Sequence, residues 1–427
     1  MVRNPIESWP RAVYRERLYR RRVLGHDALF IMDPALIREV LVDEAGNFEK
    51  GMMARRALQP LLGNAILTAD GARWRWQRRA TSPLFRREQL LDFLPATIAA
   101  AERTRDRWLT YPAGSEIDVA REMMRTTFDI VLATMLPGAS PGDTVSMERA
   151  IADYLQSMTW AMALTIVGAP SWTPYPGKRK ARRAREYLRG LAQQLRTKVA
   201  QSRFSGTDLL SLLIEANDPQ TGRPMNETDV RDNILTFVMA GHETTALALT
   251  WTFYLLSLYP DVEARITGEI AAVTDGRPIR EQHIGELHYT QQVIQEVMRL
   301  YPPAAMIVRE TRRALRLGTE TIGPGTFVYV PVYAVHRHEE FWDRPDVFDP
   351  NRFTPEAVKL RDRYVYLPFG AGPRICIGMS FAQMEATSVL AALLASMRLR
   401  LRPGYIPEPK MRATLRPAGG MPMRLIA

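Results

Sequence analysis

The chain has 427 residues, 46% of them hydrophobic, with 57 Lys and Arg against 46 Asp and Glu for a formal charge of +11, and a single cysteine. That length and apolar content suffice for a large buried core. One cysteine excludes an internal disulfide, a zinc ribbon, an iron–sulfur cluster and thioredoxin-like chemistry, all of which need at least two thiols.

Residues 1–22 are rich in Arg and Glu and lack the apolar core of a signal peptide or membrane anchor, so a cytoplasmic protein without a transmembrane anchor is expected. Short apolar or alternating runs beside Gly or Pro predict strands at 28–32, 314–317, 326–331 and over 397–423. β-rich portions near 22–35, 305–335 and 397–425 therefore flank a helix-rich core at about 80–310. No repeat or linker divides the chain, and the expectation is one domain over 1–427, mainly α with small β-sheets (α+β).

Along that core, Trp74-Arg-Trp-Gln-Arg78 falls on an early helix. The uncharged run 154–177 is densely apolar for only about a dozen residues before its prolines, too few to span a bilayer, and reads as a buried or interfacial helix. The densest basic cluster, 178–189, holds one aromatic, Tyr187, and no zinc-finger or helix-turn-helix spacing. A solvated helix face is the better reading, and no nucleic-acid partner is expected despite a pI near 9.9.

The longest helical pattern runs from about 229 to 259, opening at Asn226-Glu-Thr-Asp229, which resembles a capping box, and closing before Pro260. Its middle, 233–241, is uncharged on every side, so the helix belongs in the core. Gly241, His242, Glu243, Thr244 and Thr245 follow, five small or polar residues in a row, and such a conflict between place and composition marks a functional site. Further on, Glu296 and Arg299 share a helix face, Pro303 ends that segment, and Arg352 follows in Pro345-Asp-Val-Phe-Asp-Pro-Asn-Arg352-Phe353.

The segment Phe369-Gly-Ala-Gly-Pro-Arg374-Ile-Cys376-Ile-Gly378 precedes an apolar helix starting near Met379. Its glycines permit a tight loop, and a helix N-terminus just beyond Cys376 favours the thiolate, the form that binds metal. A dinucleotide-binding loop is the weaker reading, because the third glycine of that fingerprint and a strong preceding strand are missing.

All ten positions resemble the haem-binding signature of the cytochromes P-450, and the other segments stand in that family's order. The resemblance implies the family's fold, with the long central helix over the haem. It implies Cys376 as axial ligand of haem b, Phe369 against the sulfur, Gly378 in the loop, and Arg374, Trp74, Arg78 and Arg309 at the haem propionates. Glu296, Arg299 and Arg352 would form a structural lock behind the loop. Glu243 and Thr244 correspond to an acid and alcohol pair that delivers protons, whereas His242 is expected to pack between helices. Phe237, Ala240, Met306 and Ile307 are pocket candidates, with Thr244 and the region of Met52 and Met53; Arg55 and Arg56 read as solvated loop.

The function implied is insertion of one atom of O2 into an apolar small molecule. Electrons would come from NAD(P)H through a separate ferredoxin or flavodoxin and its reductase, docking near Arg73, Arg75 and Arg79, and a monomer is expected. A peroxygenase and a haem-based sensor are the alternatives, and neither has use for the Glu243-Thr244 pair.

Overall fold

A computed structural model describes residues 4–426 apart from 24–25, 137–138, 171, 202–205 and 207. The predicted central helix forms as Glu227–Leu258. Asn226 and Asp229 cap it reciprocally, the Asp229 N–H donating to Asn226 Oδ1 at 2.9 Å. Such a cap stabilises a helix start by about 1 kcal/mol. At the other end Pro260 opens a new helix, Pro260–Thr274, because it lacks the N–H that would continue the first.

From Asp232 to Phe253 every residue of the central helix is buried except Ala240, Gly241 and Thr244. Helices Val119–Met135, Lys178–Gln201, His288–Leu300 and Met379–Leu394 pack around it. Three helices, Pro34–Arg38, Gly51–Leu62 and Gly71–Thr81, form ahead of the expected start near residue 80, and one short strand, Glu116–Asp118, lies within the helical part.

The main sheet has five strands in the order Leu18–Val23, His26–Ile31, Phe327–Val330, Ile307–Thr311 and Phe48–Glu49. Its one parallel pair joins Ala28 to Phe327 and Phe30 to Tyr329, so the start of the chain is built into a sheet made from its last third. Buried Leu29, Ile31, Val328 and Val330 form a second core with Trp342 and Leu367, apart from the main helical one. Pro422–Ile426 pairs on one side with Glu116–Asp118 and on the other with Arg398–Leu401, and Glu408–Met411 forms a hairpin with Leu415–Ala418. The run 154–177 becomes the end of helix Pro141–Ile166 and a loop, with Tyr154 and Met158 buried and Trp160 and Trp172 at the surface. Among the described residues no helix is long and apolar enough to cross a membrane.

Candidate active site

The Cys376 loop is fixed by its glycines and its own amides. Gly370 and Gly372 adopt φ of 73° and 71°, and a Cβ on Gly372 would stand 1.9 Å from the Leu41 carbonyl oxygen, so that position tolerates glycine alone. The Cys376 N–H donates to Phe369 O at 2.9 Å, closing the loop, and helix Met379–Leu394 begins just beyond. Burial pushes the thiol above its ordinary value, opposed by the Gly378 N–H and the nearby charges of Arg78 and Lys50. The expected help from the helix terminus is therefore present, but burial outweighs it, and a cationic metal is what would hold the thiolate.

Cys376 is enclosed by protein yet exposes its side chain, because it faces a cavity of about 520 Å³. The opposite wall is the central helix, at the three positions that burial spares: Ala240, Gly241 and Thr244. Phe237, Met306, Ile307 and Phe369 also face this space, and Phe85 meets Phe237 edge-on at 5.2 Å. Thr244 donates its hydroxyl to Ala240 O at 2.8 Å, leaving the oxygen's lone pairs on the cavity side. Met52 is exposed and does not line the cavity, and the Met53 side chain lies outside the described residues.

One edge of the cavity is cationic. Arg374 lies close enough to lower the proton affinity of Arg309, both lower that of Lys50, and Asp70 is the carboxylate among them. Arg374 donates to Asp70 Oδ1 at 2.5 Å and to Ala69 O at 3.1 Å, and its guanidinium stacks on Trp74 at 4.4 Å. Arg309 donates to Val308 O at 2.9 Å and pairs with no acid among the described residues; burial pulls it down to about 10. Burial pulls Lys50 to about 7. Arg309 and Arg374 against Asp70 leave one positive charge in excess, and Lys50, about half protonated at neutral pH, supplies a second where an anion binds beside it.

A thiol on one wall, three basic side chains around a single carboxylate at one edge and an apolar lining fit an iron tetrapyrrole carrying two carboxylates. Lys50 is the member of this set that sequence reasoning missed. It sits alone between Glu49 and Gly51, about 260 to 325 positions from Arg309 and Arg374, and no local pattern marks it.

Glu243 does not face the cavity. Its buried carboxylate accepts from Thr414 Oγ1 at 2.5 Å and from Arg416, both in the C-terminal hairpin. His242 points elsewhere again, with Nδ1 3.1 Å from Val238 O and its ring edge-on to Phe128 at 5.3 Å, and burial keeps it neutral by lowering its proton affinity. A further carboxyl, Glu385, is fully buried on helix Met379–Leu394, which follows the cysteine loop, beside Thr245 with no cation at hand among the described residues, and burial pushes it up to about 8.

Behind the loop, Glu296 and Arg299 are both 0% exposed and form a two-pronged pair at 2.6 and 2.7 Å. Arg299 also donates to the carbonyls of His336, Pro345 and Val347, and Arg352 approaches Glu296 to 3.6 Å. His336 ties this network to the loop. Its Nε2 accepts the Leu367 N–H at 2.8 Å, which leaves Nδ1 as the donor to Arg299 O at 3.1 Å, and burial holds the ring neutral, down to about 3.

Two arginines expected to meet a partner protein are committed within the fold. Arg73 pairs with buried Asp229 at 2.6 Å and Arg79 with buried Asp218 at 2.7 Å. Arg75 remains exposed, as do Arg86 and Arg87, which follow Phe85 near Gly378.

The Cytochrome P450 family model matches residues 11–422. Cyclooctatin synthase of Streptomyces melanosporofaciens is 33% identical over 91% of this chain and 84% of its own length. Cyclooctat-9-en-7-ol 5-monooxygenase of the same organism is 34% identical over 87% and 80%, and pentalenene oxygenase of Streptomyces avermitilis 30% over 100% and 94%. The crystal structure of the cytochrome P450DA heme domain superposes with a TM-score of 0.83 at 25% identity, covering 96% of this chain and 90% of that one.

Proposed function

The chain belongs to the cytochrome P450 family and is one of its monooxygenases, and on that premise we propose that it transfers one oxygen atom of O2 to an apolar small molecule held in the cavity, with Cys376 as axial ligand of haem b. The observation that carries this reading is the lone thiol facing an apolar cavity whose edge gathers Arg309, Arg374 and Lys50 around a single carboxylate, Asp70. When bound, the haem supplies the oxygen-activating chemistry, with a thiolate ligand that favours O–O cleavage.

The chain's residues do the rest. Arg309, Arg374 and Lys50 hold carboxylates, with Trp74 stacked on Arg374 and Arg78 close to the sulfur, while Phe369 and Gly378 shape the loop. Phe237, Ala240, Met306 and Ile307 orient the substrate and keep water out, which raises the effective concentration of the reacting bond. Thr244 presents its hydroxyl oxygen to the cavity as an acceptor while its proton bonds Ala240 O, and Glu243 supplies protons to the site. Glu296, Arg299 and Arg352 keep the loop rigid through His336 and Leu367.

A terpenoid is the substrate class we favour, since relatives matched over 100% and 87% of the chain are named for pentalenene and cyclooctat-9-en-7-ol. Electrons come from NAD(P)H through a ferredoxin or flavodoxin and its reductase, and an acidic partner meets the exposed Arg75, Arg86 and Arg87. Turnover is expected with that redox chain and not with hydrogen peroxide alone; the reverse pattern identifies a peroxygenase and overturns the reading.

A further inference from the structure

The C-terminal hairpin touches both the cavity and the acid that stands outside it. Its strands, Glu408–Met411 and Leu415–Ala418, leave Arg412, Ala413 and Thr414 at the tip. Ala413 is exposed and lines the cavity. The next residue, Thr414, donates its hydroxyl to Glu243 Oε1 at 2.5 Å, and Arg416 donates to the same oxygen. One short segment therefore meets the space for substrate and the carboxylate at neighbouring positions.

Between the two donors the chain is fixed. Leu415 is 0% exposed, its N–H donates to Pro303 O at 2.9 Å, and its carbonyl accepts from Trp251 Nε1 at 3.3 Å. Pro303 lines the cavity, and Trp251 lies farther along the central helix. Thr414 and Arg416, two residues apart, share one side of the chain while Leu415 turns into the core. The tip, by contrast, is exposed at Arg412 and Ala413.

The grip on Glu243 is less complete than the other buried pairs. Arg299 holds Glu296, and Arg400 holds Glu263, through both carboxylate oxygens. Arg416 holds only Oε1; Oε2 accepts no hydrogen bond among the described residues, and the buried Arg416 Nε has no partner there either. A one-pronged pair lacks the geometric lock of a two-pronged one. Arg416 is also 29% exposed in its side chain, so water receives the guanidinium once it lets go.

We propose that Thr414 and Arg416 are positioning residues that hold Glu243 out of the relay until an occupant of the cavity presses on Ala413, so that occupancy gates proton delivery. This deepens the monooxygenase reading and rests on it. An occupant that fits the displaced tip better than the resting one shifts the balance toward displacement, and by no more than that preference. Displacement withdraws the Thr414 hydroxyl and the Arg416 guanidinium together. A buried carboxylate freed of its cation takes up a proton, because burial disfavours the bare charge, and His242 beside it is already neutral. Release thus unlocks Glu243 and loads it with the proton that the cavity needs. With the cavity empty the acid stays clamped, and protons are withheld when there is nothing to oxidise.

The test is infrared difference spectroscopy of the full-length holoprotein with and without 4-phenylimidazole, an iron-ligating probe whose entry is read separately from the shift of the haem absorption band. In wild type the probe should bring up a protonated-carboxyl band, and Glu243→Gln should lack it. Arg416→Gln should show that band without any probe, relative to the double variant E243Q/R416Q, whereas Arg416→Lys keeps a cation and should show it only with the probe. Ala413→Gly removes the side chain that meets the occupant and should lose most of the band while the haem shift stays. An unchanged carbon monoxide spectrum shows that each variant is folded. A haem shift with no carboxyl band in wild type, or no band in probe-free Arg416→Gln, overturns the gate and leaves the monooxygenase reading standing. An unshifted haem band removes the cavity reading, and the gate with it.

Discussion

Arg416, near the end of the chain, holds the carboxylate of Glu243, which does not line the cavity that Thr244 faces. The acid and the alcohol are adjacent in sequence and on different faces in space. In the proposed relay Glu243 loosens its hold on Arg416 to hand a proton on toward Thr244. Glu243→Gln keeps the hydrogen bonds and removes the acid. Turnover should fall by about 100-fold with substrate binding unchanged, the usual size of a lost general acid. Steady-state turnover beside a substrate-binding titration checks this, and unaltered turnover removes Glu243 from the relay.

Thr244 is the one hydroxyl of the central helix that faces the cavity from a position burial spares. Thr244→Ala should lower the ratio of product formed to NAD(P)H consumed and release the difference as hydrogen peroxide, whereas Thr244→Ser should keep the coupling. Equal coupling in all three proteins means that the hydroxyl plays no part in proton delivery.

Lys50 and Arg309 should act on haem retention. Each stands to donate a charge-assisted hydrogen bond, so Lys50→Ala or Arg309→Ala should speed haem transfer to an apoprotein acceptor by roughly ten-fold or more. In the haem-free protein Lys50 has no carboxylate partner among the described residues except the shared Asp70, so its loss should leave apoprotein stability unchanged or raised. Faster haem loss with intact apoprotein separates a cofactor role from a folding one.

Glu385 predicts a pH dependence. Burial raises its carboxyl from 4.5 to about 8, so between those values the folded protein holds a proton that the unfolded chain has released. Its contribution is full below about pH 4.5 and is lost as pH rises toward 8, by up to about 1.4 kcal/mol per pH unit. Glu385→Gln is neutral throughout and should gain on wild type steadily across that window in denaturant unfolding. A gap that does not change with pH means that Glu385 is ionised and paired in the folded state.

Local signals made part of this molecule legible. The Asn226-Asp229 cap, Pro260 and the uncharged middle of the central helix act within a few residues of one another, and their helix forms almost as read. The Cys376 loop is equally local, because Gly372 is required by contact with one backbone oxygen. What could not be read was long-range pairing. Arg73 and Arg79 looked free for a partner protein, but buried Asp229 and Asp218, some 140 to 156 positions away, claim them. Lys50 at the cationic edge and Arg416 on Glu243 depend on chain folding that no spacing encodes.

The central claim is that Cys376 ligates the haem iron as a thiolate. The direct measurement is the absorption spectrum of the ferrous protein with carbon monoxide, for wild type and Cys376→His. Wild type should give the thiolate-specific band from which the family takes its name, and the variant a band of the histidine-ligated type. A histidine-type band from freshly purified wild type, or an unchanged band in the variant, contradicts the account.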